Sequence, residues 1–313
     1  PVALASALRL RPDLVFVAAP SMVSAPVGWC AARLCGAKTW LHIQDFEVKA
    51  AFATGLLNAE SRIGRAAKRF EAWVLNRFDK ISSISAPMGA KLREKGVALA
   101  RVFEFRNWAN LSRVTPRETP SPLRAELGID TPHVALYSGN LANKQGLEIL
   151  PDMARLLAHR RDLTLVVCGD GPMRETLVAA AQGLSNIRFF PLQPVEKLGD
   201  LMTMADVHLL PQIAGAADLV LPSKLTNMLA SGRPVLATAD PQTALGAEVE
   251  GAGVLVAPGD HGAAAKALEV LLDDPELRAQ LGREARKRAL ERWDMVAILS
   301  RLQEEFRAVT RKT

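Results

Sequence analysis

Val134-Ala-Leu-Tyr-Ser-Gly-Asn-Leu-Ala-Asn-Lys-Gln-Gly146 reads as a short buried strand that runs into a glycine loop and then toward a helix. Gly139 lets the backbone come close to a ligand, and a helix start offers unpaired N–H groups to phosphate. Lys144 adds a positive charge. It is not a Walker loop, which needs Gly-Lys-Ser/Thr together. From this loop alone, a phosphate cradle and a plain strand–helix turn stay equally open.

The same grammar repeats in both directions. Upstream, Leu14–Ala18, Thr39–Ile43, Lys80–Ile84 and Val102–Phe105 read as strands. Downstream, so do Leu163–Cys168, Ile187–Phe190, Val207–Leu210, Pro234–Ala237 and Gly253–Val256. Helical stretches separate most of them, which predicts parallel sheets covered on both faces. Two such series in 313 residues predict an α/β protein of two doubly wound domains. The expected boundaries are 1–118 for the first domain, 119–285 for the second and 286–313 for a terminal helix packing back toward the first. Val114–Pro122, with three prolines, reads as the linker. Arg286–Arg311 reads as one long helix with Leu299, Leu302, Phe306 and Val309 on a stripe.

Hydrophobic residues make up 49%, which excludes a disordered chain. A single tyrosine argues against stacking on many bases. The net charge of +6 is uneven. Residues 1–118 carry 18 Lys and Arg against 9 Asp and Glu, and the rest 21 against 24. The first half thus faces either plain solvent or something anionic, a membrane surface or a phosphorylated acceptor. Cys30, Cys35 and Cys168 lack metal-ligand spacing, so reduced thiols and a cytoplasmic location are expected. Pro20 and Pro26 interrupt the uncharged run Leu14–Ala32, which reads as a strand and helix, not a membrane span. The chain starts at Pro1 with a helix-like stretch, and further sequence is expected before it.

Three further segments carry chemistry. Gly169-Asp-Gly-Pro172 resembles a dinucleotide fingerprint, but Arg174 stands at the third glycine position, which speaks against a nicotinamide enzyme and favours a structural turn. Leu219–Val235 holds Pro222-Ser-Lys224: Ser223 can cap the following helix, and Lys224 sits in its first turn. The helix dipole disfavours a cation there, so a bound anion explains the lysine better than solvent does. His42, Gln44 and Asp45 follow a strand end, where ligands gather. His42 or Asp45 are the candidates to orient an acceptor hydroxyl or take its proton, although a histidine at a strand end is more often structural. On Ser61–Lys80, Ile63, Ala67, Phe70, Val74 and Phe78 are expected inward, with Arg62, Arg65 and Arg69 opposite, free for a membrane surface.

Gly139-Asn140 with Gly146, Gly169–Pro172, Phe189–Gln193, Ala205–Val207, and Pro222–Lys224 with Ala230–Pro234 appear in the order and spacing of glycosyltransferase family 4, which the chain resembles. Within it, Trp40–Phe46 and Arg106–Trp108 resemble the colanic acid (exopolysaccharide) fucosyltransferases. The resemblance implies a GT-B fold: two Rossmann-like domains facing a cleft, the N-terminal one incomplete at its start. It implies a retaining transfer of fucose from GDP-fucose to a lipid-linked oligosaccharide by a cytoplasmic protein at the inner face of the cytoplasmic membrane. It implies neither metal nor cofactor. Gly139, Asn140 and Lys144 would meet the diphosphate, with Gly169 beside them. Leu192 and Gln193 would meet the base, and Ser223, Lys224 and Leu225 the phosphate and ribose. The family's glutamate pair is replaced by Leu219, beside Asp218, and by Asn227, which joins the donor-site candidates. A sugar-nucleotide epimerase and a non-catalytic nucleotide-sugar-binding fragment are the alternatives.

Overall fold

The computed structural model describes residues 2–19, 22–44, 46, 48, 58, 60–109, 111–214 and 222–311, with the side chains of residues 2, 3 and 144 excepted. The chain divides into two units, 1–107 with 296–313 and 108–295.

In the first unit β1 (Leu14–Ala19), β2 (Lys38–Ile43), β3 (Lys80–Ser83) and β4 (Val102–Glu104) form a parallel sheet in that spatial order. Each strand adds to the same edge. Right-handed crossovers then place every connecting helix on one face. The packing agrees: Ala25, Val74, Leu75, Met88 and Leu92 from the helices share a core with Leu41, Ile43 and Ile81. Strand alternation turns Trp40 to the opposite face. That face would be bare without the terminal helix Met295–Thr310, whose Ile298 and Leu302 pack on Trp40 and Phe105. Phe306 meets the Trp40 ring edge-on at 5.0 Å, and Glu305 pairs with Lys80 at 2.8 Å. Ile298→Val removes one methylene from this layer and should lower unfolding stability by about 1 kcal/mol in urea titration; an unchanged midpoint would contradict the packing.

The expected single helix 286–311 is therefore two, Pro275–Arg292 and Met295–Thr310. Trp293 breaks it by inserting into the core of the second unit, where its carbonyl accepts from Ala109 N at 2.9 Å. Nor does Val114–Pro122 span between domains. Val114 is buried in the second unit, its carbonyl takes Arg286 at 2.9 Å, and Ser121 Oγ donates to the Asp200 carbonyl at 2.8 Å.

The second unit holds β5 (His133–Ser138), β6 (Leu163–Cys168), β7 (Ile187–Phe190), β8 (Val207–Leu210), β9 (Val235–Thr238) and β10 (Gly253–Val256), all parallel, in the order β10-β9-β8-β5-β6-β7. The chain starts mid-sheet at β5, winds out to β7, then returns past β5 to β8. That reversal opens a crevice beyond the carboxyl ends of β5 and β8. Both faces are apolar: Val134 and Leu136 pack with Leu225 and Met228, while Ala135 and Tyr137 pack with Ile149 and Met153. No helix of the described residues is long and apolar enough to cross a membrane.

Candidate functional site

The loop leaving β5 is pinned against the loop leaving β6. Gly139 N donates to Cys168 O at 2.9 Å, Leu141 N to Asp170 O at 2.8 Å, and Met173 N to Leu141 O at 2.9 Å. Two glycines make that approach possible. A Cβ on Gly169 would lie 2.0 Å from the Gly139 carbonyl oxygen, and one on Gly171 2.6 Å from Asn140 Oδ1. Gly169 thus shapes the loop from behind. Asn140 turns its side-chain oxygen toward Gly171 and gives its carbonyl to the Tyr137 hydroxyl at 2.7 Å.

The loop does not run straight into a helix as expected. A 3₁₀ turn, Asn143–Gln145, ends at Gly146 with φ of 62°, and the helix begins only at Ile149. Gly146 is held there because a Cβ would come within 3.1 Å of the Gln212 backbone beyond β8. Lys144 lies in this turn, its side chain outside the described residues.

Lys224 reaches this loop from the far side of the crevice. Its Nζ donates to the Tyr137 hydroxyl at 2.7 Å and to Gln145 Oε1 at 3.3 Å, and lies 4.3 Å from the Tyr137 ring centroid. The Tyr137 hydroxyl also contacts Gln145 Oε1. The lysine passes directly over Gly139, where a Cβ would meet Nζ at 3.1 Å, and Gly139 holds φ of 138°. The two segments singled out in the sequence, Gly139–Lys144 and Pro222–Leu225, are therefore adjacent.

Among the described residues the two oxygens are the ammonium's acceptors and neither is a carboxylate. One N–H is left for a ligand oxygen. Burial of this cation lowers its pKa to about 8. A bound diphosphate raises it again. Donor affinity should therefore be level below about pH 8 and fall above it by about tenfold per pH unit, with a proton taken up on binding. Calorimetry from about pH 7 to about pH 10, in buffers of different ionisation enthalpy, tests this. An affinity constant over that range would contradict it.

Ser223 does not cap its helix as expected. Its backbone is already helical, φ −60° and ψ −26°, and no side-chain cap hydrogen bond forms. Capping needs the extended region, which aims the hydroxyl back at the helix amides. Leu225 is wholly buried. Asn227 lies on the same short helix, Lys224–Ala230. Leu192 is exposed beyond β7, and Gln193 Nε2 donates to the Pro191 carbonyl at 3.1 Å. Asp218 and Leu219 fall outside the described residues.

Sequence reasoning missed three residues. Tyr137 and Gln145 hold Lys224, and Arg174 Nη1 donates to the Gly169 carbonyl at 2.7 Å, bracing the same loop. A polar-tipped aromatic at the end of an otherwise aliphatic strand was the available signal for Tyr137.

In the first unit, His42 is buried on the aromatic face of the sheet, its ring 4.9 Å from Phe105 and 5.9 Å from Phe16. Trp40 Nε1 donates to Ser82 Oγ at 2.8 Å, and the same oxygen shares a hydrogen bond with His42 Nδ1 at 2.9 Å. Burial drives the imidazole pKa down to about 4, against an opposing hydrogen bond to the Ser82 backbone, so it is neutral at pH 7. Asp45 lies outside the described residues. No group of three metal-binding side chains occurs among the described residues.

Residues 121–288 match the family model "Glycosyl transferases group 1", and residues 1–108 match "Glycosyl transferase 4-like domain". The chain belongs to the group 1 glycosyl transferases. It is 40% identical over 245 residues to the colanic acid biosynthesis glycosyl transferase WcaI of Escherichia coli K12, covering 76% of this chain and 60% of that protein. It is 29% identical over 167 residues to the alpha-D-kanosaminyltransferase of Streptomyces kanamyceticus, covering 52% and 42%. The chain thus spans less than two thirds of the length of these curated relatives. In fold it is similar to Anabaena HepE, solved in complex with UDP, with a TM-score of 0.78, 19% identity, and coverage of 98% of this chain and 82% of that one. The sucrose-phosphate synthase of Thermosynechococcus elongatus follows at 0.76 and 21%, covering 97% and 75%. These neighbours are GT-B glycosyl transferases, and the two parallel-sheet units here share that class.

Proposed function

We propose that this glycosyl transferase moves fucose from GDP-fucose to a lipid-linked oligosaccharide during assembly of a colanic acid-like exopolysaccharide, with retention of configuration. One observation carries the donor half: the Lys224 ammonium lies over Gly139 with no carboxylate partner among the described residues. As the glycosidic bond breaks, the electron pair stays on the β-phosphate oxygen. Lys224, Lys144 and the Asn140 amide stabilise that charge without a metal, while Gly139, its own amide held by the Cys168 carbonyl, leaves the diphosphate room to approach. Ser223 and Leu225 close on phosphate and ribose, Leu192 and Gln193 on the base, and Asn227 on the donor sugar. Asp45 takes or orients the acceptor proton. His42, a neutral N–H donor, positions the acceptor and is not the base.

The similarity to WcaI supports the colanic acid-like setting, and the fucosyl donor and lipid-linked acceptor rest on the resemblance to the colanic acid fucosyltransferases. The reading also makes this a peripheral protein of the inner membrane face. A donor screen with this protein and membrane lipid extract, products identified by mass, tests it. A deoxyhexose added to lipid from GDP-fucose, undiminished by chelator, is expected. Transfer only from another nucleotide sugar would replace the donor. Sugar-nucleotide interconversion without acceptor would replace the reaction by epimerisation.

A further inference from the structure

The helix Arg62–Leu75 carries a surface that the donor site does not use. Its buried residues are Gly64, Glu71, Val74 and Leu75; of the expected stripe, Val74 and Phe78 are buried and Phe70 packs on the core, while Ile63 turns outward. In a helix, the neighbour of Gly64 points about 100° away, and Ile63 is accordingly 68% exposed. Glu71 can face inward because it pairs with Lys95 at 2.5 Å.

The outward side of this helix places Arg62, Arg65, Arg69 and Trp73 together, one to three turns apart. Trp73 is 39% exposed in the midst of these cations. It does not stand alone. Trp29, from the helix Ala25–Cys35, meets it edge-on at 6.1 Å, Phe70 stacks on it at 6.1 Å, and the Arg77 guanidinium lies 5.3 Å from both tryptophan rings. On the helix Ala25–Cys35, Val27 and Leu34 are exposed.

Among the described residues, acidic side chains are scarce on this surface. From Arg62 to Arg77 the one carboxylate is the buried Glu71, and Ala25–Cys35 has none. Glu60, at the helix start, gives its backbone carbonyl to Arg65 Nη1 at 2.6 Å.

We propose that this surface docks on an anionic lipid bilayer, the arginines taking headgroup phosphates while Trp73 and Ile63 enter the interface. Tryptophan suits that depth, with an apolar ring and a polar tip. Cations without nearby carboxylates suit an anionic leaflet. The inference rests on the reading that the acceptor is lipid-linked, since a membrane-borne acceptor calls for a docked enzyme.

The test uses the intact chain, without substrates, sedimented with vesicles of phosphatidylcholine alone or mixed with phosphatidylglycerol. Binding to the mixed vesicles only, weakened by salt, is expected. Each lost arginine should lower partitioning by roughly fivefold, so R62A/R69A loses about twenty-five-fold, while R62K/R69K stays near wild type. Trp73→Ala should remove the binding that survives high salt. Thermal melts confirm that each variant folds. Equal binding to both vesicle types, no binding to either, or wild-type binding by R62A/R69A would overturn the surface. Transfer to detergent-dispersed acceptor is measured alongside. Retained transfer with failed docking sinks only the surface, and docking with no transfer to any lipid acceptor sinks only the function.

Discussion

Lys224→Ala should cut kcat/KM for sugar transfer by about 10²–10³-fold, or about 3–4 kcal/mol of barrier, as loss of one preorganised donor to a developing oxyanion does. The loss should fall mainly on kcat, because the charge on the leaving diphosphate grows toward the transition state. Stability should behave oppositely. The lysine is a partly buried cation held by a phenol and an amide, with no carboxylate partner among the described residues and its pKa depressed by burial. Removing it relieves a desolvation cost. The urea midpoint should hold or rise while turnover collapses. A variant with wild-type kcat, or one that loses activity only by unfolding, would contradict this role.

Gly169→Ala is the second large effect. The new Cβ would sit 2.0 Å from the Gly139 carbonyl oxygen, a backbone atom that no rotamer can move. The β5 loop must shift, at about 1–3 kcal/mol of stability. Because Lys224 rests on Gly139, donor affinity should fall as well, by at least about tenfold. Gly183→Ala is the control. Unlike Gly169 it has a positive φ, 82°, but open space surrounds its Cβ position, so alanine there strains the backbone without touching the site. Its donor affinity should match wild type. Equal donor affinities in both variants would separate the glycine loop from binding.

All ten strands among the described residues stand where their apolar runs place them, within a residue or so at each end. Buried parallel strands announce themselves as short runs of Val, Leu and Ile between turns. The order of the strands is not written in those runs, because a strand apolar on both faces does not name its neighbour. The break at Trp293 had no glycine or proline to mark it; core packing of one large side chain made it. Ile63 was placed inward by periodicity, but a buried Glu71 with a lysine partner shifted the packed line.

Within the site, the glycine loop and Lys224 were legible because each has a local backbone reason. Their proximity followed from the family resemblance alone, and the bond between Tyr137 and Lys224 from neither the local reading nor the resemblance: the two are 87 residues apart, joined only by the reversal between β5 and β8. Gln145 was overlooked beside Lys144, whose charge drew the assignment. Ser223 shows the converse, a good cap by composition that the chain uses in helical geometry instead.

The most direct test of the donor cradle is a structure of this chain with a nucleoside diphosphate bound. The account predicts a phosphate oxygen within hydrogen-bond reach of Lys224 Nζ and of the Asn140 amide, over Gly139 at the carboxyl ends of β5 and β8. A diphosphate bound elsewhere, for instance in the 820 Å³ hollow lined by Arg117, Arg233 and Arg286, with the space over Gly139 empty, would contradict it.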